Sequence, residues 1–237
     1  MNGLMELPST IRAIRLFGSI ARGDSDSMSD IDVLVILASH ATKADVEAIK
    51  IDLLRTYGEK LSISWYGENK YRLMHSDGHL FCWHIFLESK RNAVASDIVD
   101  ELGSPRPYMS ALQDIDAFVD ILEGCRSSVR ACDKNATYEA GIIYTCARNI
   151  AMYGSWLAGK LTFSRFSPYI LQELIGIKFP LSRMEYGQFA RARISLRAEV
   201  SPFIIKQSHA ITAQSLVFDW AMRVSRFGRG ASHNAPH

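Results

Sequence analysis

Asp30 and Asp32 stand two residues apart at the head of an apolar run, Asp30-Ile31-Asp32-Val33-Leu34-Val35. Side chains on a strand alternate between its faces, so both acids point to one face. Neighbouring carboxylates repel, and each raises the other's cost of ionisation. A buried strand does not choose that arrangement for stability, but a divalent cation between the two acids removes the cost. Mg²⁺ fits, because it favours carboxylate oxygens together with substrate phosphates and waters. Two such ions can clamp the attacking and leaving oxygens of a phosphoryl transfer.

Twelve residues upstream of Asp30 comes Gly18-Ser19, followed by Ile20-Ala21-Arg22-Gly23. The spacing predicts a strand that ends at Gly18 and a short helical turn after it. The start of such a turn offers free N–H groups and a positive dipole end, which suits phosphate. Gly18 lets the backbone approach an anion closely. Ser19 can cap the turn or hydrogen-bond a phosphate oxygen. Arg22 can contact phosphate, or pair with Asp24 or Asp26. Ser29 can fix the loop just before Asp30 through a local side-chain-to-backbone bond. Together these residues form a phosphate cradle and a metal-binding pair.

The elements that must position them follow from the pattern. Residues 11–17 read as one strand and residues 31–38 as another, the latter apolar enough to be buried on both faces. Residues 43–58 read as an amphipathic helix, with Val46, Ile49, Leu53 and Tyr57 at helical spacing and Gly58 to end it. Residues 61–66 and 79–87 are further strand candidates. The polar stretch 67–78 between them is a hairpin loop or contains a short helix. A plausible boundary lies at Gly103-Ser104-Pro105-Arg106-Pro107. Beyond it the pattern is helical: one face of a first helix carries Leu112, Ile115, Val119, Leu122 and Val129, and a second helix runs over 138–160. Ser167-Pro168 marks a helix start, and Ser182-Arg183-Met184-Glu185 is a capping box. A last helix covers about 208–226.

Gly-Ser-x-Ala-Arg-Gly at 18–23, a short spacer, then Ser29-Asp30-Ile31-Asp32 before an apolar strand resembles the DNA polymerase β nucleotidyltransferase superfamily. Among its members the segment is most similar to the minimal nucleotidyltransferases and the aminoglycoside nucleotidyltransferases. The motif spans 18–32 only; the order of elements extends the likeness loosely along the chain. The resemblance implies an α/β (α+β) domain with a mixed sheet, residues 1–105, followed by an all-α helical bundle, 106–226, and a mobile tail, 227–237. It also implies transfer of an NMP unit from an NTP, ATP being the expected donor, to an acceptor hydroxyl with Mg²⁺. Asp30 and Asp32 would hold the metal, and Gly18, Ser19, Arg22 and Ser29 would bind the nucleotide.

The family usually has a third carboxylate on a later strand, and here no obvious one occurs. If 79–88 is a strand, Cys82, His84, Phe86 and Glu88 share a face. His84 can replace the carboxylate as base or ligand, Glu88 can reach the site from the strand end, or the site binds nucleotide without efficient chemistry. In the helical half, Arg148 and Asn149 are candidates for contacting the nucleotide, or a helix-face pair bonding a neighbouring helix. HEPN ribonucleases, which resemble the helical partners of minimal nucleotidyltransferases, place a histidine about where Tyr153 stands, so that activity would lack its acid–base group.

The chain has 237 residues and a formal net charge of +2, so bulk charge makes no case for nucleic acid. The basic run Arg183, Arg191, Arg193 and Arg197 could hold an RNA backbone, or be a solvated helix face. Asp114, Asp116, Asp120 and Glu123 could welcome a cationic acceptor, or be the polar face of a helix. None of the four cysteines forms a C-x-x-C pair, and they read as reduced and cytoplasmic. Neither a signal peptide nor a membrane-spanning run is expected. The acceptor stays open among small molecule, RNA and protein. The alternative function is an antitoxin or regulatory module of the same fold that binds or modifies a partner protein.

Overall fold

The computed structural model describes residues 9–26, 29–91, 97–195 and 203–232. The chain separates into two compact units between Met109 and Ser110.

The first unit is a four-stranded mixed sheet with helices on both faces. Strand β1 (Ile11–Phe17) leads into the five-residue helix α1 (Gly18–Arg22), and β2 (Ile31–Leu37) returns antiparallel to β1. Helix α2 (Lys43–Tyr57) then crosses over to β3 (Leu61–Gly67), which pairs parallel with β2, as a parallel connection requires. Helices α3 (Glu68–Ser76) and α4 (Leu80–Glu88) follow, then the two-residue strand β4 (Lys90–Arg91) on the far side of β1 and helix α5 (Ile98–Leu102). The sheet order is β3-β2-β1-β4.

The alternation of β2 explains its apolar run. Val33 and Val35 face Ile49 and Leu53 of α2, while Leu34 and Ile36 face Tyr71, Cys82, Ile85 and Ile98 on the other side. Thr42 and Asp45 close a reciprocal capping box on α2, and Gly58 ends it. On the α4 side, Arg15 is buried in the middle of β1. It is held by the carboxylates of Asp97, at 3.0 Å, and of Asp100, so α5 is strapped to the sheet.

One expected strand is a helix. The segment 79–87 forms α4, which begins on His79, whose ring accepts the N–H of Phe81. The sequence His79-Leu80-Phe81-Cys82-Trp83-His84-Ile85-Phe86-Leu87 is so uniformly bulky that period alone does not separate strand from helix. Packing decides: Cys82 and Ile85, three apart, turn onto the sheet, while Phe86 and Leu87 are exposed. Of the two readings of 67–78, the short helix is realised, as α3.

The second unit is helical: α6 (Ala111–Ala131), α7 (Ala136–Leu157), α8 (Ser167–Ile175), α9 (Arg183–Ser195) and α10 (Gln207–Ser232). Ile115, Leu122, Ile143, Ile150, Phe189 and Trp220 lie in its core. Pro168 sits in the first turn of α8, and Ser182 and Glu185 bond reciprocally ahead of α9. Helix α10 outruns its expected end at 226, so the start of the expected tail is helical; Arg197 and 233–237 lie outside the described residues. Among the described residues no helix is long and apolar enough to cross a membrane.

Candidate functional site

The antiparallel pairing of β1 with β2 sets Phe17 opposite Asp32. The next residue, Gly18, adopts φ +73, and a β-carbon on it would lie 2.4 Å from Oδ2 of Asp32. Two constraints therefore converge on one residue: a left-handed backbone and a carboxylate where a side chain would be. The glycine-serine turn and Asp32 are thus neighbours.

Helix α1 begins at Gly18 with no side chain capping its first N–H groups, which leaves them for water or an anion. Gly23, in the left-handed region at φ +80, closes the turn by donating to the carbonyls of Ser19 and Ile20. Ser29 is buried, and its hydroxyl accepts the N–H of Asp26 at 3.0 Å while donating to the Asp26 carboxylate at 2.9 Å. That hydroxyl braces the loop directly before Asp30. Asp30 is exposed and Asp32 half-buried. Asp30, just before β2, and Asp32 on it carry hard oxygen donors of the kind Mg²⁺ takes.

The parity of β2 puts Asp32 on the same side as Leu34 and Ile36, the side covered by α4. There the helical form of 80–88 changes the geometry of His84 and Glu88. One turn apart, they meet: Nε2 of His84 lies 3.1 Å from Oε2 of Glu88. The same carboxylate oxygen accepts from Nη1 of Arg22 at 2.8 Å. Arg22 also reaches Asp24 at 3.2 Å. The His84 ring packs edge-on against Phe17, centroids 5.4 Å apart, and Phe17 is the register partner of Asp32. Arg22, Glu88, His84, Phe17 and Asp32 are therefore linked by contact or pairing in one unit. Burial pushes the Glu88 carboxyl up, but the hydrogen bonds and charges of His84 and Arg22 outweigh it and hold the group below its ordinary range. Arg22 is likewise opposed by burial, yet its bonds to Glu88 and Asp24 prevail and raise it further.

Among the described residues no third acid is grouped with the pair. On β3 the register partner of Asp32 is Ser62, and of Leu34, Ser64. Among the described residues no three His, Cys, Asp or Glu side chains are grouped to hold a metal. In the helical unit, Arg148 donates to the Phe163 carbonyl at 3.0 Å and Asn149 to the Thr145 carbonyl at 2.9 Å. Asp97, which holds Arg15 in place, escaped sequence reading. Its signal was its position as a capping acid before Ile98-Val99, where its side chain accepts the N–H of Val99.

Residues 3–69 match the family model of the nucleotidyltransferase domain. The match contains the whole Gly18–Asp32 device and supports a polymerase-β-type nucleotidyltransferase superfamily relationship for this part of the chain. No curated protein matches the chain significantly.

Proposed function

We propose that the protein transfers an NMP unit from a nucleoside triphosphate, ATP by preference, to an acceptor hydroxyl, releasing pyrophosphate. The observation that supports this reading is the close approach of Gly18 to Asp32. Asp30 and Asp32 would hold Mg²⁺, which supplies charge neutralisation at the phosphates when bound. The N–H groups at the start of α1, with the Ser19 hydroxyl, bind the β- and γ-phosphates. Ser29 keeps the loop in place from behind.

The acceptor oxygen attacks the α-phosphorus as the bond to the bridging α–β oxygen breaks, and the electron pair leaves with pyrophosphate. Its proton has to go to a base. Glu88 accepts from Arg22 and has the His84 ring within 3.1 Å, and a carboxylate held ionised in this way is a poor proton acceptor. The His84 imidazole is the other proton acceptor in this group of contacts. This reading gives the proton to His84, with Glu88 orienting the ring, and leaves Arg22 to add positive charge near the phosphates. The bonds that Arg148 and Asn149 make lie inside the helical unit, so the reaction is built without them. Catalysis comes from positioning and charge stabilisation.

The test is incubation with each of the four NTPs, labelled in the α-phosphate, together with Mg²⁺ and a cell extract. Label should pass to one class of acceptor. The same incubation with Asp30→Ala/Asp32→Ala protein should leave every acceptor unlabelled, and transfer surviving that change would refute the metal role.

A further inference from the structure

The near-neutral total charge conceals a division between the two units. Residues 1–109 carry 12 Lys and Arg against 15 Asp and Glu, a net of −3, and residues 110–237 carry 15 against 10, a net of +5. A basic unit in a chain whose other unit is acidic points to a polyanionic partner for the basic one.

Part of that charge is mounted on aromatic rings. The guanidinium of Arg183, exposed at the start of α9, lies over Phe166 at 5.5 Å and over Tyr169 at 5.2 Å. Both rings are half-buried, and each packs against Tyr186, with centroids 6.4 and 5.8 Å away. Tyr186 is itself buried, and its hydroxyl has no hydrogen-bond partner among the described residues. Arg183 and three rings at the start of α8 and on α9 thus form one cluster, with Arg165 next to Phe166 in the chain. The nearby acid Glu185 is engaged by Ser182. A guanidinium carried over aromatic rings keeps an outer side for a base, and arginines suit phosphates.

We infer that the α8–α9 face of the helical unit binds single-stranded nucleic acid, with Arg183 on Phe166 and Tyr169 as the stacking platform and Arg165 as a phosphate contact. The inference stands apart from the transfer reaction, because it needs neither Asp30 nor Asp32.

The test is fluorescence anisotropy of the full chain with a labelled oligo(U) or oligo(dT) of about fifteen nucleotides, without NTP or Mg²⁺. Asp30→Ala/Asp32→Ala protein is measured alongside, so that loss of transfer and loss of binding are read separately. The single strand should bind, and the same strand annealed to its complement should bind more weakly. Arg183→Ala should weaken binding roughly tenfold and lower the slope of log affinity against log salt by about 0.7. Arg183→Lys, which keeps the charge but not the plane, should also weaken it. Arg183 is exposed, so melting temperatures should hold for both Arg183 variants. Absent binding, equal binding of the duplex, or unchanged affinity in the Arg183 variants would overturn the assignment.

Discussion

Gly18 and Asp32 occupy each other's space: where any other residue at 18 would have its β-carbon, Oδ2 of Asp32 stands 2.4 Å away. The backbone there, at φ +73, is one that residues with side chains rarely adopt. A strand end, a turn and an acid on the next strand are locked into one arrangement by the lack of a side chain.

Gly18→Ala is therefore expected to fail as an enzyme before it fails as a fold. The left-handed conformation costs about 1–2 kcal/mol for alanine, and the displaced carboxylate adds to it. Misplacing a reacting group by about 1 Å costs roughly a hundredfold in rate. Thermal melting and α-phosphate label transfer measured on one preparation should show a modest fall in the first and near loss of the second.

Arg15 and Asp97 make the opposite kind of contact, one of stability. Their side chains are 6% and 0% exposed. Removing one partner leaves a buried charge alone, which costs about 3–5 kcal/mol. Arg15→Met should thus lower the denaturation midpoint sharply, whereas Arg15→Met with Asp97→Leu should regain much of the loss. A double variant no more stable than the single one would contradict this.

How much of this was legible differs by element. The device at 18–32 was readable because its parts are local: a turn signal, a pair at strand period and an apolar strand. Strands β1, β2 and β3 and helix α2 were readable for the same reason. Helix α4 was not. Phe, Trp and Ile favour strands as isolated choices, and Cys82 and Ile85 turn inward only because the sheet lies beneath them. The link between His84 and Glu88 depended on that helix and was hidden with it. Asp97 was invisible because its partner, Arg15, lies 82 residues away.

Glu88 predicts a pH dependence. Its carboxyl is held below the ordinary value of 4.5, since bonds from His84 and Arg22 outweigh burial. A depressed carboxylate contributes stability that is present above its unfolded pKa and is lost as pH falls through the folded one. Melting temperature should thus drop below about pH 4.5, and Glu88→Gln should flatten that acid limb. An identical limb in the variant would assign the loss to other acids.

The thiols should differ in reactivity. Burial pushes Cys82 and Cys146 up to about 12 and Cys125 well above its ordinary value, while Cys132 is half-exposed. Because the thiolate is the nucleophile, one cysteine, Cys132, should react quickly with a thiol reagent at mildly alkaline pH. All four should react after unfolding. Cys132→Ser should abolish the fast phase; a fast phase that persists would contradict the assignment.

The most direct test of the central claim is calorimetric titration of NTP into the protein with Mg²⁺ and again with a chelator, for wild type and for Asp32→Asn. The wild-type protein should bind NTP markedly tighter with Mg²⁺ than without, and Asp32→Asn should lose that difference while remaining folded. Wild-type binding that ignores Mg²⁺, or a difference that survives Asp32→Asn, would contradict the account.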